Sequence, residues 1–555
     1  MLIAIAVIVV AFIAATIAGK TDPNVGHHGG GRAAESQDEH GDEAEDHEHD
    51  ADDEEREHGE TADAKEIEGG DHGSPVHPPD LYAVTPFVLL LGAIAVFPLL
   101  RVTEHWWESN RNRFLFAASL SAVTIAYYWF VYDHGGGAKV VHVLEHAVLK
   151  EYFPFIVLLF SLYTISGGIR ISGDVAAHPS TNAIFIGLGG LLASFIGTTG
   201  AAMLLIRPLL ETNRERKYVQ HTVVFFIFVA CNCGGCLLPI GDPPLFLGYL
   251  RGVAFLWTMH ALWLPWLAVN VALLVIYYVW DRFVCYPREE ETNVRRDENE
   301  VNPLSVDGLW PNVLLLLGVI FSVALLDPSK PFPGTDGWHP YLYLREVVQI
   351  GLVGLSLLLG SKQIRIDNKF NYHAIVEVAA LFIGIFVCMQ PAIEILKVEG
   401  KQLGVNTPEK AFWATGGLSA VLDNAPTYVV FFKTAHSQTE RFFPTADPPV
   451  PGDRFADAVS LAGENAVEMT HAGKTIGVDE VRARNDAAMA MLIGISLGAV
   501  FMGATTYIGN GPNFMVRAIA EESGVKMPSF FGYVLFYSAP ILLPVFFVAT
   551  LIFLK

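Results

Sequence analysis

Charged side chains are scarce in this 555-residue chain: Asp, Glu, Lys and Arg together make up 17% of it. A soluble protein of that length would divide into several domains with polar surfaces and linkers, so this composition excludes it. Cysteine is rare as well. Three of the five lie together at Cys231, Cys233 and Cys236, and the other two fall within or beside apolar segments, so no disulfide framework is suggested. GRAAES and GGGAK lack the pattern G-x-x-x-x-G-K-[ST], which argues against a nucleotide-driven pump. No basic patch suggests nucleic acid, and no series of ten-residue alternating segments suggests a β-barrel.

Long apolar runs are what the chain does have. Tyr82 to Leu100, Phe114 to Tyr132, Phe153 to Ile169, Phe255 to Trp280, Leu309 to Leu326 and Phe531 to Leu554 are each near the length that crosses a bilayer core of ~30 Å. The class is an all-α polytopic membrane protein with the lipid bilayer as its partner. The net charge of −22 is concentrated: residues 21–80 hold 21 acidic against three basic side chains, a net −18. This segment, taken as 20–80, is also rich in His and Gly and nearly free of apolar residues, so it is expected to be disordered. Residues 1–19 read as a signal peptide or an N-terminal anchor, and either one exports the tail. The tail's imidazoles and carboxylates suit weak binding of Zn²⁺ or Ni²⁺; a solvated acidic tether is the plainer reading.

Lys and Arg collect on the cytoplasmic side of short loops. RVTEHWWESNRNR, Arg170, ETNRERK, the linker PREEETNVRRDENEVNP and SKQIRIDNK are therefore placed inside. Arg170 and Glu211 then share a side, so Ala183 to Leu210 is read as a re-entrant hairpin turning at SFIGTTGAA. The second half repeats the count, with a second hairpin at Phe412 to Phe432. The expected parts are a first repeat at 81–285, a cytoplasmic linker at 286–307, and a second repeat at 308–555 with an external insertion at 434–485. Each repeat has a re-entrant hairpin and a broken transmembrane helix. The halves enter from opposite faces, an inverted-topology repeat of the kind found in secondary transporters.

The letters repeat too. GGCLLPIGDPPLF from Gly234 aligns without a gap on MGATTYIGNGPNF from Met502. Asp242 meets Asn510, Gly241 meets Gly509 and Pro244 meets Pro512. GTTGAAMLLIRP from Gly197 is paired by position with LDNAPTYVVFF from Leu422, which sets Thr198 and Thr199 opposite Asp423 and Asn424. Gly and Pro break a helix and free its carbonyls and amides. At membrane depth such groups persist only where protein, water or a ligand satisfies them. A broken helix beside a carboxylate makes an oxygen-rich place for a cation.

At these residues the chain resembles the ion-transporter superfamily, which holds sodium:proton antiporters of the NhaD type, arsenite permeases, citrate carriers and divalent-anion:sodium symporters. The likeness spans about residues 82–555. LSAVLDNAPTYVVFF is similar to the Asp-Asn hairpin motif of NhaD-type proteins, and GGCLLPIGDPP to their broken helix. The resemblance implies a homodimer in a bacterial inner membrane, with no catalytic or cofactor chemistry and with Na⁺ and H⁺ as transported ions. It implies one cation site at Thr198, Thr199, Asn232, Gly235 and Asp242. The other is at Asp423, Asn424, Thr505, Thr506 and Asn510. The first hairpin departs from the family pattern, carrying Thr-Thr where Asp-Asn is common.

The expected mechanism is sodium:proton exchange, with Asp242 and Asp423 each alternating between a cation and a proton. Burial favours a protonated carboxylate and a neighbouring cation favours the charged one. Each residue also has a plainer role. Asp242 would cap the half-helix that PP begins, Asp423 would hold an Asx turn, and Asn232 and Asn510 would pair broken backbone. The cysteines fit close helix packing better than metal. His142, Glu145 and His146 share a helical face, a proton path or a solvated surface. Glu377 and Arg207 would shape access or form ion pairs. The alternatives are a sodium- or proton-coupled citrate or organic-anion symporter, and a membrane sensor with a metal-binding tail.

Overall fold

An apolar window inside lipid forms a helix because only a helix bonds its own backbone internally. The computed structural model follows that rule, and the chain is mostly helical. It describes residues 78–100, 102–132, 135–291, 302–335, 337–436, 469–471, 474–476 and 478–555. The leader at 1–19, nearly all of the acidic tail, part of the linker and most of the insertion at 434–485 lie outside the described residues.

The first half runs α1 (Thr85–Val96), α2 (Asn110–Phe130), α3 (Gly137–Ser166) and β1 (Arg170–Asp174). α4 (Pro179–Ile196) and α5 (Thr198–Thr212) follow, then α6 (Gln220–Ala230), a 3-10 turn at Cys233–Cys236, α7 (Pro243–Tyr249) and α8 (Trp257–Trp280). The second half runs β2 (Asn302–Asp307), α9 (Leu309–Leu325), α10 (Leu344–Leu359), α11 (His373–Cys388), α12 (Gln390–Glu399), α13 (Pro408–Ser419) and α14 (Asn424–His436). It closes with α15 (Val478–Met502), a 3-10 turn at Gly503–Thr505, α16 (Gly511–Glu522) and α17 (Phe530–Phe553).

Six helices among the described residues are long and apolar enough to cross a membrane, and the chain is an integral membrane protein. α15 lies at the centre, with 78% of its apolar window buried, whereas α2, α8 and α17 have only 33% buried and form the periphery. α8 shows how: Trp263, Leu267, Val271 and Val275 form an exposed stripe one turn apart, while Val269, Asn270, Leu273 and Tyr277 face inward. The helix is apolar on both sides, as a span that meets lipid on one face and protein on the other should be.

Two expected spans come out short. Tyr82 to Leu100 and Leu309 to Leu326 yield helices of 12 and 17 residues. In the first, Pro98 holds the end in a 3-10 turn at Phe97–Leu99. The apolar stretch from Ile375 to Leu396 is two helices, α11 and α12, bent by 43°. Pro391 in the first turn of α12 explains the bend, because it has no N–H for the preceding turn.

Strand pairing was not expected in an all-α chain. β1 and β2 pair antiparallel, Arg170 opposite Asp307 and Ile171 opposite Val306. The register slips between Ser172 and Asp174, where Gly173 adopts φ +124° and a Cβ would stand 2.6 Å from Pro303 O. Arg170 Nη1 also reaches Asp367 Oδ2 at 2.7 Å. The end of α3, the inter-half linker and the loop SKQIRIDNK thus share one face.

Arg216 sits in the loop read above only as basic. Its guanidinium is 4% exposed and holds Asp281, at the end of α8, through two bonds of 2.9 and 2.5 Å. His221 Nε2 and Tyr277 Oη also lie 3.1 Å from that carboxylate. Removing one partner strands a buried charge, so Arg216→Ala should cost about 3–5 kcal/mol. A melting curve of the detergent-purified variant that overlays the wild type would refute this.

Candidate functional site

Both helix breaks have the same local build. After the Cys233–Cys236 turn the chain extends at Asp242 (φ −141°, ψ 142°) and restarts as α7 with proline in its first turn. After the Gly503–Thr505 turn it extends at Asn510 (φ −153°, ψ 138°) and restarts as α16, again with proline. The freed backbone is accounted for in both. At the first break Ser194 Oγ and Trp266 Nε1 donate to Gly234 O, at 2.6 and 2.9 Å, and Asn270 Nδ2 donates to Cys233 O at 3.1 Å. Thr258 Oγ1 donates to Leu237 O at 3.0 Å, and Thr198 N to Gly241 O at 2.9 Å. At the second break Asn513 Nδ2 donates to Gly503 O and Thr506 O, at 2.8 and 2.9 Å, and Tyr533 Oη to Ala504 O at 2.9 Å.

Thr198 of one expected site and Asn424 and Asn510 of the other meet at one carboxylate. Asp242 Oδ1 accepts from Thr198 Oγ1 at 3.0 Å and from Asn510 Nδ2 at 3.0 Å. Asp242 Oδ2 accepts from Asn424 Nδ2 at 2.6 Å. Asp242 is 1% exposed. Its donors come from the turn between α4 and α5, the start of α14 and the second break, so both halves close on it. Asn510 Nδ2 also donates to Cys231 O at 2.9 Å.

Other expected residues take different places. Asn232 donates to Ile227 O at 2.8 Å and to Asn513 Oδ1 at 2.7 Å, which leaves its own Oδ1 buried without a partner. Asn424 Oδ1 is likewise buried and unpartnered. Gly235 allows close approach: a Cβ there would stand 2.8 Å from Thr198 Cγ2. Thr506 Oγ1 donates to Ala420 O at 2.7 Å and ties the second break to the end of α13. Thr505 Oγ1 turns back on Met502 O of its own helix at 2.5 Å, away from Asp242. Asp423 Oδ1 accepts from Ala425 N at 3.1 Å, the Asx-type contact of the plainer reading.

A cavity of about 1090 Å³ reaches Thr198, Thr199, Asp423 and Asn510 at its inner end. Its wall carries Arg113 and Glu377, joined at 2.8 Å. Arg517 on the same wall bonds Glu521 at 3.0 Å and lies over the Tyr507 ring. Glu104, Glu108 and His373 line it further out.

Sequence reasoning missed Asn513, which bonds both breaks at once. It stands inside the quoted motif, but its aligned counterpart is Leu245, so the repeat gave no reason to choose it. Arg113 was counted as a loop charge, yet it is buried in the cavity wall.

No curated protein matches the chain. A family model described as "Putative citrate transport" matches residues 77–554, nearly everything beyond the acidic tail. The chain belongs to that citrate-transporter-like family of membrane ion transporters.

Proposed function

We propose that this protein is a sodium:proton antiporter of the NhaD-like kind, built as two inverted-topology repeats with re-entrant hairpins at α4–α5 and α13–α14. The equal backbone of the two breaks and their convergence on Asp242 support the repeat. The single observation that carries the exchange reading is the inner end of the cavity. It presents the Asp423 carboxylate, hydroxyls and amide groups, with Asp242 behind them. The two guanidiniums on the wall, Arg113 and Arg517, each already hold a glutamate.

A sodium ion entering this end would meet the Asp423 carboxylate and neutral oxygens, and it would displace a proton from that carboxylate. Return of the proton would release the ion, so one group exchanges the two with no covalent step. Asn232 Oδ1 and Asn424 Oδ1 are buried oxygens without donors, suited to a cation in transit. A bacterial inner-membrane location, an exported acidic tail and a homodimer complete the reading.

The family's description favours a second reading, sodium- or proton-coupled uptake of citrate. Three carboxylates would need the wall arginines, so Arg113 and Arg517 would have to leave Glu377 and Glu521. Proteoliposomes separate the two readings. With a pH gradient imposed, Na⁺, Li⁺, K⁺ and citrate are offered in turn, and internal pH and labelled citrate are followed. Dissipation of the gradient by Na⁺ alone is expected. Movement of citrate with sodium, and no pH change with sodium alone, would overturn the antiport reading.

A further inference from the structure

A second cavity, of about 1120 Å³, lies away from Asp242 among α5, α6, α8 and α17. Lys369 lines it and belongs to the same loop as Asp367, the partner of Arg170 on β1, so it opens on the β1–β2 face. Its charged lining is mostly basic, and the acids present are engaged: Glu522 holds Lys369 at 3.1 Å and Glu211 holds Arg214 at 3.1 Å. Arg216 is committed to Asp281 behind the wall. Lys217 has Glu290 at 4.0 Å, which leaves two lining cations, Arg207 and Lys526. Neither side chain has a hydrogen bond or close ion pair among the described residues, Arg207 acting on Glu522 only through its field, and Arg207 Nε is buried and unsatisfied.

The other wall is aromatic and apolar. Trp280 at the end of α8 stacks on Tyr537 near the start of α17, centroids 5.8 Å apart and planes 7° from parallel. Tyr537 Oη donates to Gln220 Oε1, and Gln220 Nε2 donates to Lys526 O, so the floor is fixed. Beside it Phe283, Phe531, Leu535 and Phe536 are each more than 60% exposed. These residues sit at the ends of two membrane-length helices, where tryptophan and tyrosine mark headgroup level. A cationic recess at that level, flanked by bare apolar side chains, matches an anion that carries hydrocarbon.

We propose that this cavity binds an anionic phospholipid. Arg207 and Lys526 hold the headgroup phosphate, Trp280 and Tyr537 lie under its glycerol region, and the acyl chains run along Phe283, Phe531 and Phe536. The lipid would stand between α5 of the first half and the α16–α17 loop of the second.

The test is native mass spectrometry of the purified full-length protein with added phosphatidylglycerol or phosphatidylcholine. Wild type should retain phosphatidylglycerol in preference. Arg207→Gln with Lys526→Gln should reduce that retention about tenfold or more, each cation near the surface being worth roughly a factor of five. Equal retention by wild type and variant, or of the two lipids by wild type, would overturn the proposal. So would displacement of the lipid by millimolar inorganic phosphate, which would mark a site for a free anion. Should the double variant fail to fold, wild type is labelled with a phosphatidylglycerol carrying a photoreactive acyl chain. Crosslinks should map to the peptides around Trp280–Cys285 and Phe531–Tyr537, and crosslinks found only elsewhere would refute the site.

Discussion

Asp423→Asn should reduce sodium-driven proton movement to about 1% of wild type or less while the protein stays folded, because loss of a charged ligand from the ion's place costs about 3 kcal/mol. The carboxylate of Asp423 lines the cavity and accepts one bond, from Ala425 N. An asparagine amide still accepts that bond, so the turn and α14 survive. Asp242→Asn should abolish transport and also lower the melting temperature. Its two oxygens accept from three donors, Thr198, Asn424 and Asn510. An amide offers one oxygen and turns an NH₂ group toward at least one buried donor, and each such mismatch costs about 1–3 kcal/mol. Flux into proteoliposomes and melting in detergent read the two effects separately. An active Asp423→Asn would remove Asp423 from the exchange. An Asp242→Asn protein that melts with the wild type would mean the three bonds hold nothing together.

This division between a fold-bearing and a cavity-lining carboxylate was not legible in the sequence. The breaks themselves were, since GGCLLPIGDPP places glycines and prolines where a lipid-crossing helix should have neither. The partners of Asp242 were not, because Asn424 and Asn510 stand 182 and 268 positions away. A gapless alignment pairs each residue with its counterpart, Asp242 with Asn510, but says nothing of a side chain that crosses from one half to the other. The same limit explains Thr505, chosen by its place in the motif although its hydroxyl is spent on its own helix. Hydropathy windows failed differently. They run through Pro391 because the stretches on both sides are apolar, and they do not register the bend that its missing N–H permits. Basic residues were counted as loop charges, and that count cannot see that Arg216 and Arg113 fold back onto Asp281 and Glu377.

Gly241→Ala and Gly509→Ala should each abolish flux and destabilise the protein, because the breaks depend on backbone approaching backbone. A Cβ at Gly241 would lie 2.3 Å from Gly235 O and 3.0 Å from Ser194 Cα. A Cβ at Gly509 would lie 2.6 Å from Gly503 O and 2.8 Å from Ser419 O. Both obstacles are main chain, which cannot rotate aside, so the extended residues Asp242 and Asn510 must shift with the turn. Overpacking of this kind typically costs about 1–3 kcal/mol, occasionally more. Here it would also move the oxygens at the inner end of the cavity. Gly417→Ala is the control: nothing lies within 4 Å of its Cβ, and alanine suits the interior of α13. That variant should melt and transport like the wild type. The pairing of the two breaks is tested by the same three proteins. If Gly241→Ala is disabling and Gly509→Ala is silent, the second break is not built like the first, and a common origin for the two halves of the site loses its physical basis.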